Sequence, residues 1–512
     1  APLAAPPMTT SPHTLVIGAG IGGLTAAALL LHAGHRITVL ESHIYPGGSA
    51  GTFYHKGFRF DAGATLAGGF APGGPHARVG EILGLDWPVR PVDPAWVVHL
   101  PDGRAITQWT DRQQWEAEWR AAFPQTARFW HTQERLADIS WDVSSRPFPW
   151  PPASARDFWT LAQALRPHTL LALPYLFRTI GGIASARDPM FKAFLDGQLL
   201  IAAQTTADQA NALYGSAALD LPRRGVNHVE GGIGALAQTL VDWIRAHGGE
   251  VLFRHPVTQI EVKEGRATAV ITQKGERFSG DYLLANLTPW ALADLLGPQT
   301  PARLRQEVIH RQPTWGAFTL YLGLDAARLP PLAAGHHQVI RDHTLPLGEG
   351  NSVFISLSDE ADGRRGPADT RTATLSTHTA VAPWWELRHT SSESAYLARR
   401  EHYTAQLLAT AEQAIPGLSR AATLSLAGTP VTFAFYTRRP LGMVGGFPQT
   451  SLLRARGPGT GVGNLWLVGD SIFPGQSTAG VTLGGMRVAT AVLQASRAAK
   501  SLWITAPSPA AD

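Results

Sequence analysis

The chain has 512 residues, 44% of them hydrophobic, with 43 basic and 39 acidic side chains. The length suggests roughly two large domains or three ordinary ones, with enough apolar residues for a sizeable core. The absence of cysteine excludes disulfides, cysteine nucleophiles, thiolate zinc sites and iron–sulfur clusters, and a formal charge of +4 is too diffuse to point to nucleic acid.

The opening APLAAPPMTTSPHT has no basic n-region and no long apolar run. No secretory signal is expected, Met8 reads as the start, and disorder is expected over 1–12. Thr14 to Gly34 carries no Asp, Glu, Lys or Arg and by hydropathy alone would pass for a membrane span. Its glycine spacing gives another reading: a β-branched strand (TLVIG), a glycine turn, an Ala/Leu helix ending at Gly34, and a second strand (HRITVLE) closing at Glu41. Residues 42–75 read as Gly-rich loop with short strands. Within 85–106, alternation around Pro101-Asp102-Gly103 predicts a hairpin. From Arg112 to Ala218 the pattern is helical, with a loop at 146–154 (RPFPWPPAS).

Inside that region Thr169 to Phe177 (TLLALPYLF) is apolar, interrupted by Pro174 and bracketed by Arg166, His168 and Arg178. It is too short to span a bilayer, and reads either as a helix buried against the core or as a segment dipping into one leaflet. Gly231 to Gly248 predicts a second glycine-opened helix. The strands after it, with turns at Glu264-Gly265 and Lys274-Gly275, predict a meander. Residues 291–420 alternate strands and helices, and 464–498 read strand, Gly/Pro loop, helix.

Gly18-Ala19-Gly20-Ile21-Gly22-Gly23 matches G-x-G-x-x-G between a strand and a helix, with Glu41 about 20 residues on, the context of a dinucleotide fingerprint. Gly18 allows the tight turn, Gly20 the approach of a pyrophosphate, and Gly23 close helix–strand packing. The helix N-terminus offers N–H groups to an anion, and Glu41 can accept from ribose hydroxyls. A second glycine pair, Gly47-Gly48 followed by Ser49, suits a longer cofactor and favours FAD over NAD. Gly231-Gly232-Ile233-Gly234 follows no strand at the right spacing and lacks an acidic partner, so no separate nicotinamide domain is expected.

These segments, with PGGSAGTF, FRFDAGAT and the C-terminal NLWLVGDSIFPGQSTAGVTLGGMRVA, resemble the FAD-dependent carotenoid desaturase and isomerase family of the bacterial phytoene desaturase type. Gly469-Asp470-Ser471 with Phe473-Pro474-Gly475-Gln476 is similar to its isomerase and 3′,4′-desaturase branch. GGIGALAQTL and GGEVLFRHPVTQI resemble the family's second FAD-contacting stretch. The resemblance covers both ends and the centre of the chain. It implies an α/β fold: a discontinuous Rossmann-like FAD-binding domain of the glutathione-reductase/amine-oxidase type (13–90, 222–290 and 431–505). Beside it stands a mixed-sheet substrate domain (91–221 and 291–430) with a helical subdomain at 155–215 that could face a membrane.

Carried over by motif, the resemblance gives the ADP half of FAD to Gly18, Gly20, Ile21, Gly22, Gly23, Glu41 and Ser42. Gly47, Gly48 and Ser49 flank the pyrophosphate and ribityl chain, with Gly63 and Ala64 also on the cofactor. Val257 presents its backbone to the adenine, and Asp470 binds the ribityl or pyrophosphate region with Gly469 giving access. Gly480 and Val481 open a last helix whose N-terminus points at the flavin's carbonyl edge. Ser49 departs from the family, where many relatives carry Arg. Asp61 reads equally as a site residue or a turn residue.

Desaturation removes a hydride and a proton from adjacent carbons. FAD can take the hydride and the polyene delocalises the cation, so no strong protein base is obligatory. No metalloprotease, nucleophile-elbow or paired-carboxylate motif is present, and no metal is expected. His336-His337 reads as a solvated turn, and most of the Trp and Phe read as core. A long polyene gains about 0.8 kcal/mol per CH₂ on leaving water, so it stays in membrane and its enzyme must reach the bilayer. The expected partners are a carotenoid, the inner face of the cell membrane, and oxygen or quinone as electron acceptor, with no nucleic acid; the expected location is cytoplasmic. Only 5 of the 43 basic residues are Lys, read as codon bias in a GC-rich bacterial genome. The leading expectation is FAD-dependent 3′,4′-desaturation of an acyclic end group. A redox-neutral cis–trans carotenoid isomerase on reduced FAD, a flavin amine oxidase on a soluble amine, and a non-catalytic flavoprotein or pigment-binding protein stay open.

Overall fold

The structure is a computed structural model that describes residues 11–496 apart from 147, 153, 186, 313, 314, 391 and 392. The disorder expected over 1–12 therefore lies outside the described residues up to position 10, as does the end of the last FAD segment, 497–505. Pro12 is already tied into the fold, its carbonyl accepting from Arg36 N at 2.9 Å.

A five-stranded parallel sheet organises one half. Its order is Glu250–Leu252, Arg36–Leu40, His13–Ile17, Tyr282–Ala285 and Leu465–Leu467. Sequence-distant strands thus share one sheet, and their apolar runs are covered on both faces, as parallel strands require. The helix Ile21–His32 that hydropathy mistakes for a membrane span is buried from Ile21 to Leu30. An all-round apolar helix is a core helix when other elements surround it. Here Gly234–Ala246 and Thr478–Ala495 pack against it. Gly22 and Gly485 permit the closest crossing: a Cβ on Gly485 would lie 2.5 Å from Gly22 O. The predicted meander forms as Val257–Lys263, Arg266–Thr272 and Arg277–Ser279, with Glu264 and Gly265 both at positive φ in the first turn.

The second half is a seven-stranded mixed sheet, ordered Ala422–Gly428, Gly316–Asp325, Thr370–Thr379, Ser352–Leu357, His336–Ile340, Trp96–His99 and Ala105–Gln108. Only the pairing of His336–Ile340 with Trp96–His99 is parallel. Trp96–His99 and Ala105–Gln108 are the predicted hairpin. Helix Glu393–Ala414 backs this sheet through Tyr403, Leu407 and Ala411. A helical cap follows the hairpin: Arg112–Ala122, Ala127–Ser144, Pro189–Ala203 and Ala212–Leu219. Trp119, Phe129, Trp130, Phe191 and Phe194 fill the cap's centre.

Three expectations are corrected. His336 and His337 are not a solvated turn but lie buried in a strand with neighbours on both sides. Each imidazole has a neutral partner: His336 Nδ1 lies 2.7 Å from Ser356 Oγ, and His337 Nδ1 3.1 Å from His99 Nε2. Burial holds them neutral, lowering them to about 3 and about 4. Residues 169–177 are not a buried helix: Pro167–Tyr175 is 3₁₀, and only Ala172 of it is buried. The Gly231 turn does follow a strand, Val226–Val229, but that strand sits in an antiparallel three-stranded sheet with Ala67–Gly68 and Val89–Val92. Among the described residues no helix is long and apolar enough to cross a membrane.

Candidate functional site

A cavity of about 1530 Å³ runs from the C-terminal ends of the parallel strands to the face of the mixed sheet. Single-ligand pockets span roughly 300–1,000 Å³, so this one has room for a dinucleotide and a second molecule. The position agrees with the rule that open α/β sheets bind ligands beyond their strands' carboxyl ends.

The nucleotide end is made by backbone. Gly18 turns at φ +91°. Gly47 (φ +113°) docks against the fingerprint, donating its N–H to Ala19 O at 2.8 Å, so the second glycine pair closes on the first. The fingerprint helix has Gly20 as its N-cap with no side-chain cap and no acid in its first turn. Its positive end is left to a ligand anion. Glu41 is buried and fixed: Oε2 accepts from Ala19 N at 2.7 Å, and Oε1 from His43 N at 2.7 Å and Ser42 Oγ at 3.1 Å. The segment carrying Val257 runs beside it, His255 N donating to Glu41 O at 2.8 Å.

Of the residues assigned from sequence, Gly18, Gly20, Ile21, Gly22, Glu41, Ser42, Gly47, Gly48, Ser49, Gly63, Ala64, Val257, Gly469, Asp470 and Val481 line the cavity. Gly23 and Gly480 do not. Gly23 acts in packing, since a Cβ there would fall 2.8 Å from Asn286 Cβ and 3.0 Å from Gly18 O. The last helix starts at Thr478, capped by Ser477, whose Oγ takes the Gly480 N–H at 3.0 Å. Thr478 and Ala479, not Gly480, therefore present this helix's first turn to the cavity.

Asp61 is a buried clamp outside the cavity lining. Oδ1 accepts from Thr52 Oγ1 and Ile233 N, each at 2.8 Å, and Oδ2 from Arg365 Nη2 at 2.9 Å. The clamp explains the second glycine cluster: a Cβ on Gly232 (φ +107°) would strike Thr52 Oγ1 at 2.5 Å and Asp61 Oδ1 at 2.7 Å. GGIG thus docks a helix on the 52–61 hairpin.

Four cavity residues carry no motif signal. Asn286, at the end of Tyr282–Ala285, fills the space left by the fingerprint, and a Cβ on Gly20 would meet its Nδ2 at 2.3 Å. Its position at a parallel-strand terminus was the available clue. Arg439 pairs with Asp470 Oδ2 at 2.9 Å, while its Nε and Nη2 donate to Met443 O and Gly445 O. Asp470 therefore faces the cavity with its Oδ2 already paired. Gln204 and His378 stand on the far wall, from the cap and the mixed sheet. His378 is held neutral, lowered to about 4 by burial. Tyr45, also on the wall, is pushed up to about 12 by burial and by Tyr436 and Glu41 nearby. Among the described residues no group of three or more His, Asp or Glu is placed to hold a metal.

Fold and site together define an FAD-binding flavoprotein: paired glycine turns, a buried carboxylate and the uncapped start of helix Ile21–His32 suit a dinucleotide, in a cavity with room for a second molecule. The family model described as flavin containing amine oxidoreductase matches residues 21–493, and the chain belongs to that family. It is 29% identical to prolycopene isomerase 1, chloroplastic, of an Oncidium hybrid cultivar, over 97% of this chain and 85% of that protein. It is 24% identical to the phytoene desaturase (neurosporene-forming) of Cereibacter sphaeroides, over 93% of each. Among solved structures it resembles an oxidoreductase from Methanosarcina mazei (TM-score 0.63, 20% identity, 93% of this chain and 99% of that one). It also resembles a putrescine oxidase (TM-score 0.62, 17% identity, 95% and 99%), and these likenesses establish the fold.

Proposed function

We propose that the protein is an FAD-dependent enzyme of carotenoid metabolism that desaturates an acyclic polyene end group, at the 3′,4′ position. The observation that carries this reading is the cavity's far wall. It is built from the mixed sheet and its neighbours by Phe354, Leu426, Phe433 and Ile201, among small hydroxyl residues. The carboxylates lining the cavity, Glu41, Glu230, Asp294 and Asp470, all lie off that sheet. A cationic amine would find no counter-charge on the wall, whereas a polyene needs none.

Bound FAD supplies the hydride acceptor. The chain's own residues do the rest. Gly18, Gly20, Gly22 and Glu41 would hold the ADP half, and Thr478 and Ala479, in the first turn of Thr478–Ala495, would line the cavity beside the cofactor. The apolar wall orients the polyene and keeps water from the intermediate cation.

A membrane supplies the substrate in this reading. Within one stretch of sequence, Phe158, Trp159, Leu170, Leu171, Leu173 and Phe177 are exposed, Phe177 to 82%. Arg156, Arg166 and Arg178 are exposed among them, suiting anionic headgroups at the inner face of a cell membrane. Asn211 Nδ2 donates to Leu176 O at 2.7 Å, tying the patch's segment to the start of helix Ala212–Leu219, whose other end lines the cavity.

A redox-neutral cis–trans isomerase is the second reading, favoured by the higher identity to the prolycopene isomerase, 29% against 24%. Expression in a bacterium accumulating lycopene or a 1-hydroxylated acyclic carotenoid tests both. A red-shifted pigment lacking two hydrogens supports desaturation. A changed cis/trans ratio at constant mass supports isomerisation. Unchanged pigment with FAD-loaded protein in hand removes both.

A further inference from the structure

We propose that Arg439 is a positioning residue for the flavin-bearing half of FAD: by pairing with Asp470 it orients and charge-balances a carboxylate that this half of the cofactor meets and the ADP half does not. The inference rests on the FAD assignment above and is independent of the substrate.

The order of the parallel sheet places Asp470. Along its carboxyl edge stand Glu41 after Arg36–Leu40, the fingerprint after His13–Ile17, Asn286 after Tyr282–Ala285, and Gly469-Asp470 after Leu465–Leu467. Asp470 thus lies two strands from the fingerprint, on the side away from Glu41. A dinucleotide with its ribose at Glu41 and its pyrophosphate at the glycine turn reaches past Asn286 toward Asp470 with its second half. Gly469 also packs on the fingerprint helix, since a Cβ on Gly22 would lie 3.4 Å from Gly469 Cα. A carboxylate so near the place of a pyrophosphate repels it unless a cation balances it.

Arg439 is that cation. Nη1 donates to Asp470 Oδ2 at 2.9 Å, Nε to Met443 O at 2.8 Å and Nη2 to Gly445 O at 2.6 Å. The planar fork sets all three directions at once. Asp470 Oδ1, met by Ser471 Oγ at 3.4 Å, stays available to a donor in the cavity. Both side chains line the cavity and keep exposed surface, 16% for Arg439 and 17% for Asp470. The backbone is bent to present the fork: Arg438 and Leu441, on either side of it, hold φ +53° and +57°. Such strain in non-glycine residues clusters at ligand clamps. Gly446 lets the segment close on its target, because a Cβ there would fall 2.3 Å from Asp470 O. A staple for the 443–445 turn would need the two carbonyls alone; the third bond goes to the carboxylate that faces the ligand.

Full-length protein is depleted of FAD by dialysis, and FAD and ADP are titrated separately by calorimetry. The wild type is expected to bind FAD roughly tenfold or more tightly than ADP. Arg439→Met is expected to weaken FAD about ten- to hundredfold and ADP less than about twofold. In an Asp470→Asn background, with no carboxylate to balance, the same loss of Arg439 is expected to cost less than about threefold. Equal weakening of FAD and ADP marks a structural staple and overturns the proposal. Unchanged FAD binding, or the full loss in the Asp470→Asn background, also overturns it. If Arg439→Met does not fold, Arg439→Lys decides, since it keeps the charge and loses the fork: weakening confined to FAD supports the proposal, and equal or no weakening overturns it. A wild type that binds FAD no more tightly than ADP overturns the role of Asp470, whereas one that binds neither removes the FAD assignment itself.

Discussion

The two ends of the cavity are built on different principles. The nucleotide end is a surface of backbone: glycines at positive φ, uncapped N–H groups and one carboxylate held by main-chain donors. The substrate end is a surface of side chains carried by a seven-stranded sheet and a helical cap, with neutral histidines, amides and aromatic rings as its working parts. Backbone surfaces tolerate almost no substitution, because nothing can rotate away. Side-chain surfaces tolerate repacking and change specificity before they lose the fold.

The largest expected effect is a loss of stability at low pH, weighted toward the substrate end, where three of the four histidines concerned lie. His336, His337 and His378 in the mixed sheet are buried and lowered to about 3, about 4 and about 4, and on the nucleotide side His76 is lowered to about 3. The unfolded chain binds protons at these sites near pH 6.5 and the folded chain does not, so stability is full above that pH and falls as pH drops toward 4. Each histidine contributes up to about 1.4 kcal/mol per pH unit in that window. Urea titrations from pH 7 to 4.5 should show the decline, and His336→Gln should make it shallower by one histidine's share, about a quarter of the slope.

Next, Asp61→Ala should cost about 3–5 kcal/mol, because it leaves Arg365 buried without its partner; thermal unfolding reads this directly. Gly47→Ala should cost on the order of 3 kcal/mol in folding or cofactor retention. Its Cβ would lie 2.7 Å from Ala50 O and 2.8 Å from Gly51 Cα, and both are backbone atoms. The flavin-to-protein ratio after gel filtration should collapse. At the other end, Leu170→Ser with Leu171→Ser and Phe177→Ser should change stability by no more than about 0.5 kcal/mol. The same variant should lose sedimentation with anionic vesicles. If it still sediments, the exposed patch has another purpose.

This contrast also explains what the sequence disclosed. That Gly18, Gly20 and Glu41 meet at the cavity was legible because a strand–turn–helix crossing of this kind imposes one backbone geometry, and few residues satisfy it. The turn at Glu264-Gly265 was legible because a two-residue hairpin needs positive φ, which both residues adopt. Gln204, His378, Arg439 and Asn286 were not, since each acquires its role only when distant strands and helices meet. Burial of His336-His337 depended on sheet order, which local pattern does not encode. Gly480 lies outside the cavity lining for a different reason: the motif locates the helix start, but the Ser477 cap takes the Gly480 N–H.

The central proposal is that this cavity brings a polyene to FAD for desaturation, and an anaerobic single-turnover experiment tests it most directly. Oxidised, FAD-loaded protein is mixed with an acyclic carotenoid in anionic vesicles, and the flavin band and pigment mass are followed together. The account predicts bleaching of the oxidised flavin in step with loss of two hydrogens per carotenoid. A flavin that stays oxidised while the pigment is unchanged, or changes only its cis/trans ratio, contradicts it.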